Sequence, residues 1–438
     1  MSFNEVNAKI GNYRWGICAI LFFATTVNYI DRSVISMLKD HLSEIFNWTE
    51  GDYSNLVISF QIAYAVGLVG AGALIDKLGT KIGYALTVGL WSVASALHGF
   101  ATGTWGFIGA RAMLGVCESG AFPSSNKAVA EWYPRKERAL ATGLYNSGSN
   151  IGAIVAPLLI PWMLVHWGWQ YAFWMTGALG AIWLVLWFIY YEKPRMSKHV
   201  KPAELAYIEN SGDEPAASEQ EKEPSVKWVK LLGRKQTWAF VTGKFFSDPI
   251  WWFFLFWLPS FLHSEYGLKD MDISLPLIVV YTLSSAGSIL GGWFPKLMID
   301  RGRDVSSARK LSMFIIALVP LLVLFTQRLG SMNMWFAIVI IGLACAAHCA
   351  WQANLFATVS DMFPKKAIAS VTGIGSMAGA VGGILIAKMA GLLFDHFKAL
   401  GNIGTGYEIM FVVCAVSYIV AWLIMHVLVK HYVQIKDL

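Results

Sequence analysis

Apolar residues along this 438-residue chain gather into runs of about 20 or more, each long enough to cross a hydrocarbon core of about 30 Å. Short polar connections separate them. The runs predict membrane-spanning helices at 15–37, 53–75, 82–101, 105–130, 138–163 and 169–191, then at 237–263, 275–299, 310–327, 333–359, 367–394 and 407–430. Between the two sets, residues 193–235 turn rich in Lys, Glu, Pro and Ser and cannot span a bilayer. Within that linker the spacing predicts a short surface helix over Pro202–Asn210 and a flexible stretch over Ser211–Ser225. The expected architecture is an all-α membrane protein of twelve transmembrane helices in two six-helix halves, 1–192 and 236–438, joined by the linker 193–235.

Composition agrees with the pattern and narrows the function. Hydrophobic residues make up 56% of the chain and charged residues 14%, against the roughly 25% charged residues of a soluble protein. Lys9 and Arg14 precede the first run as a secretory signal's charged segment would, but no small-residue cleavage site follows and the run is expected to stay attached. The five cysteines, Cys18, Cys117, Cys345, Cys349 and Cys414, all fall in apolar runs and read as buried small hydrophobes. Cys345, His348 and Cys349 share a helical face without a second ligand pair, so neither a metal nor any other cofactor is expected. No phosphate-binding loop is present, and GIGSMAG, Gly373 to Gly379, reads as close helix packing. An enzyme is not expected.

The net charge of +6 is a membrane-surface feature, not a nucleic-acid one. About 25 of the 34 basic residues lie in one set of loops, with the termini and the linker, against about 4 in the opposite set. The excess of Lys and Arg places the richer side, and both termini, in the cytoplasm.

Charges inside the runs carry the chemistry. Arg111 and Glu118 stand seven residues apart in the fourth span, about two turns or roughly 10 Å along one helix face, with Lys127 beyond them. A charge at mid-bilayer costs at least about 2.5–3.5 kcal/mol, so such groups face a bundle interior or a watery cavity. A structural ion pair between helices is the plainer reading. Asp31 and Arg32 in the first span add a second acid and a second cation. An internal repeat frames them: EWYPRKERALATG, Glu131 to Gly143, recurs without a gap as DMFPKKAIASVTG, Asp361 to Gly373. Extended backwards, the same register sets His348 opposite Glu118. Parallel repeats of this kind are a transporter signature, with the substrate near the bilayer midplane and access alternating as one half rocks against the other.

The segment GALIDKLGTK, Gly72 to Lys81, resembles the signature between helices 2 and 3 of the major facilitator superfamily, and IDRGR, Ile299 to Arg303, is a weaker echo in the second half. The resemblance implies cytosolic gating roles for Gly72, Asp76, Lys77, Gly79 and Lys81, and for Asp300 and Arg301. NYIDR (Asn28 to Arg32), RAMLGVCESGAFP in the fourth span, EWYPRKERA after it and YNSGSNIGAIVAP (Tyr145 to Pro157) further resemble that superfamily's anion:cation symporter family. That family takes up organic anions with protons and includes hexuronate and galactonate permeases. Lys127, Asp248-Pro249 and His348 resemble the hexuronate (glucuronate/galacturonate) branch. Ser149, Ser376 and Phe356 stand where a galactonate permease has Gln, Asn and Trp.

The resemblance implies that Asp31 and Glu118 are the proton-linked carboxylates and that Arg32 and Tyr64 contact substrate. A hexuronate, a carboxylate with a ring of hydroxyls, needs a cation and several neutral donors and acceptors. Arg32 and Arg111 offer the cation; Tyr64, Asn146, Ser149, Asn150, His348, Gln352, Asn354 and Ser376 are the candidate hydroxyl ligands, and Trp251, Trp252 and Trp257 candidate sugar faces. Mid-helix polar residues of this kind also serve as glue between helices. The expected function is proton-coupled uptake of a sugar acid by a monomeric protein in a bacterial inner membrane, its partners the small organic anion, the proton and the lipid bilayer. The alternatives are a transporter of another organic anion such as galactonate, an uncoupled facilitator or exchanger, and a membrane sensor signalling through the linker.

Overall fold

The computed structural model describes residues 11–209 and 228–435; Lys9 and the linker stretch Ser211–Ser225 lie outside them. The described residues form helices and connections, without a strand. In chain order the helices are α1 (Tyr13–Met37), α2 (Lys39–Phe46), α3 (Glu50–Leu78), α4 (Thr80–His98), α5 (Thr104–Glu118), α6 (Ala121–Trp132), α7 (Arg135–Asn146), α8 (Gly148–His166) and α9 (Trp169–Tyr190). They continue with α10 (Pro202–Glu209), α11 (Trp228–Leu232), α12 (Lys235–Tyr266), α13 (Ser274–Asp300), α14 (Val305–Leu318), α15 (Thr326–Gly330), α16 (Met334–Met362), α17 (Lys365–Ala399) and α18 (Ile403–Leu428).

Nine helical spans among the described residues are long and apolar enough to cross a membrane, and α3, bent near Gly70, is a tenth. The other two expected spans are α4 and the α5–α6 pair. The helices α5 and α6 are 15 and 12 residues long, each too short to cross alone, and they carry Arg111, Glu118 and Lys127; α4 carries Lys81. Three predicted spans are interrupted. The fourth breaks at Ser119-Gly120, and the fifth at Ser147 between α7 and α8. The ninth passes through a 3-10 stretch, Val319–Phe325, entered at Pro320, whose missing N–H cannot continue an α-helical ladder.

Small residues set the helix crossings, as they do where lipid supplies no hydrophobic drive between helices. A methyl group at Gly115 in α5 would meet the Phe60 carbonyl of α3 at 2.4 Å, and one at Gly152 in α8 would meet the Thr26 carbonyl of α1 at 2.5 Å. The second half repeats both crossings. A methyl at Gly291 in α13 would come within 2.3 Å of the Ala350 Cα of α16, and one at Gly382 in α17 within 2.6 Å of the Phe245 carbonyl of α12.

The chain divides into two compact units, 1–35 with 59–221, and 36–58 with 222–438. In the first, α10 is the short helix expected in the linker, and its buried Glu204 caps α1. The Glu204 carboxylate accepts from the Tyr13 and Arg14 amides at 3.2 and 3.1 Å and pairs with the Arg14 guanidinium at 3.2 Å. Arg14 also pairs with Glu137 at 3.0 Å, and the Tyr207 hydroxyl donates to Glu137 at 2.7 Å.

In the second unit, residues 36–58 bring the end of α1, α2 and the start of α3 against α12 and α17. Asp395 accepts from the Glu50 and Gly51 amides at 2.7 and 2.8 Å, capping α3. Lys39 pairs with Glu50 at 2.6 Å, both buried, and Lys398 approaches the other Glu50 oxygen at 3.6 Å. Tyr53 donates to the Phe256 carbonyl at 2.9 Å, Ser54 to the Ala387 carbonyl at 2.7 Å, and Ser260 to Asp40 at 3.1 Å.

Candidate functional site

In the first unit, charges from the first and fourth spans meet. Arg32 of α1 donates through Nε to Glu118 Oε2 at 2.7 Å, with the side chains 4% and 0% exposed. Glu118 is the last residue of α5, where the break at Ser119-Gly120 follows. The Arg32 guanidinium sits among aromatic rings, 5.3 Å from the centroid of Tyr29, 5.4 Å from Phe60 and 4.9 Å from Tyr64. Arg111, fully buried, lies 4.8 Å from the centroid of the same Phe60 ring, so one ring of α3 serves two guanidinium groups. Cation–π contact offsets part of the cost of holding such groups away from water. The acid that shares a helix with Arg111 thus pairs with Arg32, 86 positions away.

Asp31, adjacent to Arg32 and 1% exposed, accepts from the Ser95 hydroxyl of α4 at 2.7 Å, and Ser95 meets Thr176 of α9 at 2.8 Å. Neither Ser95 nor Thr176 carries a sequence pattern that singles it out; only their place on neighbouring helices makes them Asp31's shell. All four charged side chains, Asp31, Arg32, Arg111 and Glu118, are buried in the bundle interior. Tyr64, the ring nearest the Arg32 guanidinium, is half-buried. Asn146 is exposed and Asn150 half-buried, while Ser149 donates to the Asn146 carbonyl at 2.7 Å.

The second unit holds a counterpart of different chemistry. The contacts of Gly152 with Thr26 and of Gly382 with Phe245 align the two repeats, and the same alignment takes Glu118 to His348 and Arg32 to Trp251. Where the first unit has an ion pair, the second stacks the Trp251 indole on the His348 ring, centroids 5.3 Å apart and planes 15° apart. His348 Nδ1 lies 2.8 Å from the Tyr418 hydroxyl. Asn354 is buried and donates to the Gly291 and Ala350 carbonyls at 2.7 and 2.9 Å, tying α16 to α13. Trp257 is fully buried, Trp252 stacks on Phe256 at 5.7 Å, and Ser376 is half-buried.

Gln352 belongs to a network that the sequence reading missed. Lys244 of α12 pairs with Asp248 Oδ2 at 2.7 Å, one turn on, and donates to Gln352 Oε1 at 3.2 Å. Gln352 Nε2 in turn donates to Asp248 Oδ1 at 2.6 Å and to Ser247 at 3.0 Å. The available signal was a Lys and an Asp four residues apart within an apolar run, the same kind of signal as Arg111 and Glu118.

At the α3–α4 turn Gly79 takes φ of 76°, a left-handed value that favours glycine, and Gly302 takes φ of 85° after Asp300 and Arg301 in the other unit. Asp76 pairs with Lys127 of α6 at 2.8 Å, and Lys81 approaches Glu192 at 3.6 Å. Gly72 has open space around it, and Lys77, Asp300 and Arg301 are exposed. The repeat acid Glu131 accepts from Thr80 at 2.7 Å and from the Tyr191 hydroxyl at 2.6 Å. Its counterpart Asp361 accepts from Arg309. No group of three or more His, Cys, Asp or Glu side chains placed to hold a metal occurs among the described residues.

Residues 21–387 match the model of the Major Facilitator Superfamily. The chain is 32% identical over 411 residues to the hexuronate transporter of Escherichia coli K12, covering 93% of this chain and 92% of that protein. It is 30% identical over 401 residues to the D-galactonate transporter of Escherichia coli O6:H1, covering 89% and 91%. In fold it is similar to a D-xylose-proton symporter, with a TM-score of 0.75 at 16% identity over 96% of this chain and 99% of that one. Sequence match, helix order and fold agree: this multi-pass membrane protein belongs to the Major Facilitator Superfamily, a family of transporters and not of enzymes.

Proposed function

We propose that the protein is a secondary active transporter that brings a sugar-acid anion, a hexuronate such as glucuronate or galacturonate, into the cytoplasm together with protons. The observation that carries this reading is the Arg32–Glu118 pair, a cation of carboxylate-binding geometry and an acid 2.7 Å apart and almost wholly buried within membrane-spanning helices. Likeness over nearly the whole chain to a hexuronate transporter supports the substrate class.

The pair works as an exchange of partners. While Glu118 is ionised it holds Arg32, and the guanidinium fork is taken. A proton delivered to Glu118 removes that hold, and Arg32 is then matched by the substrate carboxylate, for which a planar two-pronged donor is well suited. Tyr64 gives way as the anion enters; Asn146, Ser149 and Asn150 offer hydroxyl contacts in the same unit. When the proton leaves towards the cytosol, Glu118 reclaims Arg32 and the anion is released. Asp31 stands beside this exchange as the second candidate proton carrier, its carboxyl oxygen accepting from the Ser95 hydroxyl. Bacterial inner-membrane residence, with both termini and the basic loops in the cytoplasm, completes the proposal.

The test is transport in proteoliposomes. Glu118→Gln is expected to retain exchange of labelled glucuronate across the membrane while losing uphill uptake driven by a proton gradient. Normal uphill uptake by this variant would reject the assignment.

A further inference from the structure

The network around Lys244 is not accounted for by the exchange at Arg32. In the first unit the position equivalent to Lys244 is Thr25, by the alignment that pairs Thr26 with Phe245 through their contacts with Gly152 and Gly382, so the repeat did not impose the charge. A Lys and an Asp inside a membrane-spanning helix are costly, and groups of this kind mark substrate paths by default. As a fastening of helices the arrangement is poor, because the ion pair lies within one helix, α12, and Gln352 alone reaches across from α16.

Its surroundings favour a binding role. The α17 backbone is pressed against the pair: a methyl at Gly379 would meet Asp248 Oδ2 at 2.2 Å, and one at Gly375 would meet Lys244 Cγ at 3.2 Å. The Lys244 and Asp248 side chains are 8% and 17% exposed, and Phe356, 5.0 Å from the ammonium, is 42% exposed. The cluster thus brings together an anionic acceptor, a cationic donor, an amide and an aromatic ring.

We propose that Lys244, Asp248 and Gln352 form a site for the hydroxyl groups of the sugar acid and that Asp248 excludes acids with a second carboxylate. This rests on the sugar-acid reading above. A vicinal diol is both donor and acceptor, so one hydroxyl donates to Asp248 while its neighbour accepts from Lys244 or Gln352, and the carbon-bound hydrogens of the ring lie on Phe356. A glucarate-type acid carries a carboxylate in place of the terminal hydroxyl-bearing group and would bring it against the Asp248 charge. Lys244 is already neutralised by that same charge.

The experiment is uptake of labelled glucuronate by the full-length protein in proteoliposomes, competed by unlabelled glucuronate, glucarate and hydroxyl-free hexanoate. Wild type is expected to prefer glucuronate to glucarate by tenfold or more. Asp248→Asn, which leaves Lys244 uncompensated, shifts that ratio at least tenfold towards glucarate. The double variant Lys244→Met with Asp248→Asn leaves no lone charge in the interior and so keeps a test available if the single variant does not fold. In it the preference for glucuronate over hexanoate falls at least tenfold. Glucuronate uptake by wild type with unchanged ratios in the folded variants overturns this inference alone. A wild type that takes up no sugar acid overturns the proposed function, and this site with it.

Discussion

Replacing Asp395 by Asn would loosen the attachment of residues 36–58 to α17. The Asp395 carboxylate accepts two amide hydrogen bonds, at 2.7 and 2.8 Å, from Glu50 and Gly51 at the start of α3. A capping side chain is worth about 0.5–2 kcal/mol. A negative charge at a helix N-terminus adds about 0.3–1 kcal/mol. Asparagine keeps one acceptor oxygen and loses the charge, so the variant should weaken this attachment by about 1–2 kcal/mol, a factor of roughly 5–30 in its opening equilibrium. The Ser54, Tyr53 and Lys39 contacts remain, which keeps the change local. Hydrogen exchange read by mass spectrometry measures it directly: peptides covering 47–58 and 385–399 are expected to exchange about 5–30 times faster, while peptides from α4 and α9 stay unchanged. Exchange rates equal to wild type in both peptides would refute the capping argument.

The Lys39–Glu50 pair makes a sharper contrast, since both side chains are buried and 2.6 Å apart. Lys39→Met alone should cost about 3–5 kcal/mol by leaving Glu50 with only the longer Lys398 contact at 3.6 Å, whereas adding Glu50→Gln should restore much of the loss in thermal unfolding. Gly291→Leu should sharply reduce the yield of folded protein in size-exclusion chromatography, because even a methyl there would press to 2.3 Å of the Ala350 Cα; Gly292→Ala, with open space around it, should leave the yield unchanged.

Much of the fold was legible because membrane insertion forces it onto the sequence. Apolar runs had to be helices, and the repeat from Glu131 to Gly143 and Asp361 to Gly373 had to mark equivalent connections. Charges within runs located the candidate site for the same energetic reason. Partner choice was not legible. Arg111 and Glu118 lie near each other in sequence, yet Glu118 pairs with Arg32, because the fold sets α1 beside the end of α5, a tertiary neighbourhood that no local pattern records. Asp395 and Glu50 are 345 positions apart, and nothing local announces that a carboxylate near the end of α17 caps α3. Lys244 and Asp248 stand four residues apart within an apolar run, but their link to Gln352 joins positions more than 100 residues apart and has no local signature. The break at Ser147 escaped because no proline marks it, whereas Pro123, whose missing N–H leaves the Ser119 carbonyl without a helical donor, marks the break at Ser119-Gly120 as Pro320 marks the third.

The cap that Glu204 places on α1 also bears on the order in which the chain comes to rest. During synthesis the first helix enters the bilayer long before residue 204 has left the ribosome, and its opening amides must meanwhile be served by water or lipid headgroups. Only after six spans have followed one another does the carboxylate arrive that binds Tyr13 and Arg14. Glu204 is therefore a closing stitch, sewn from the far end of the first six helices back to their beginning, and it ties that bundle off before the seventh span is made.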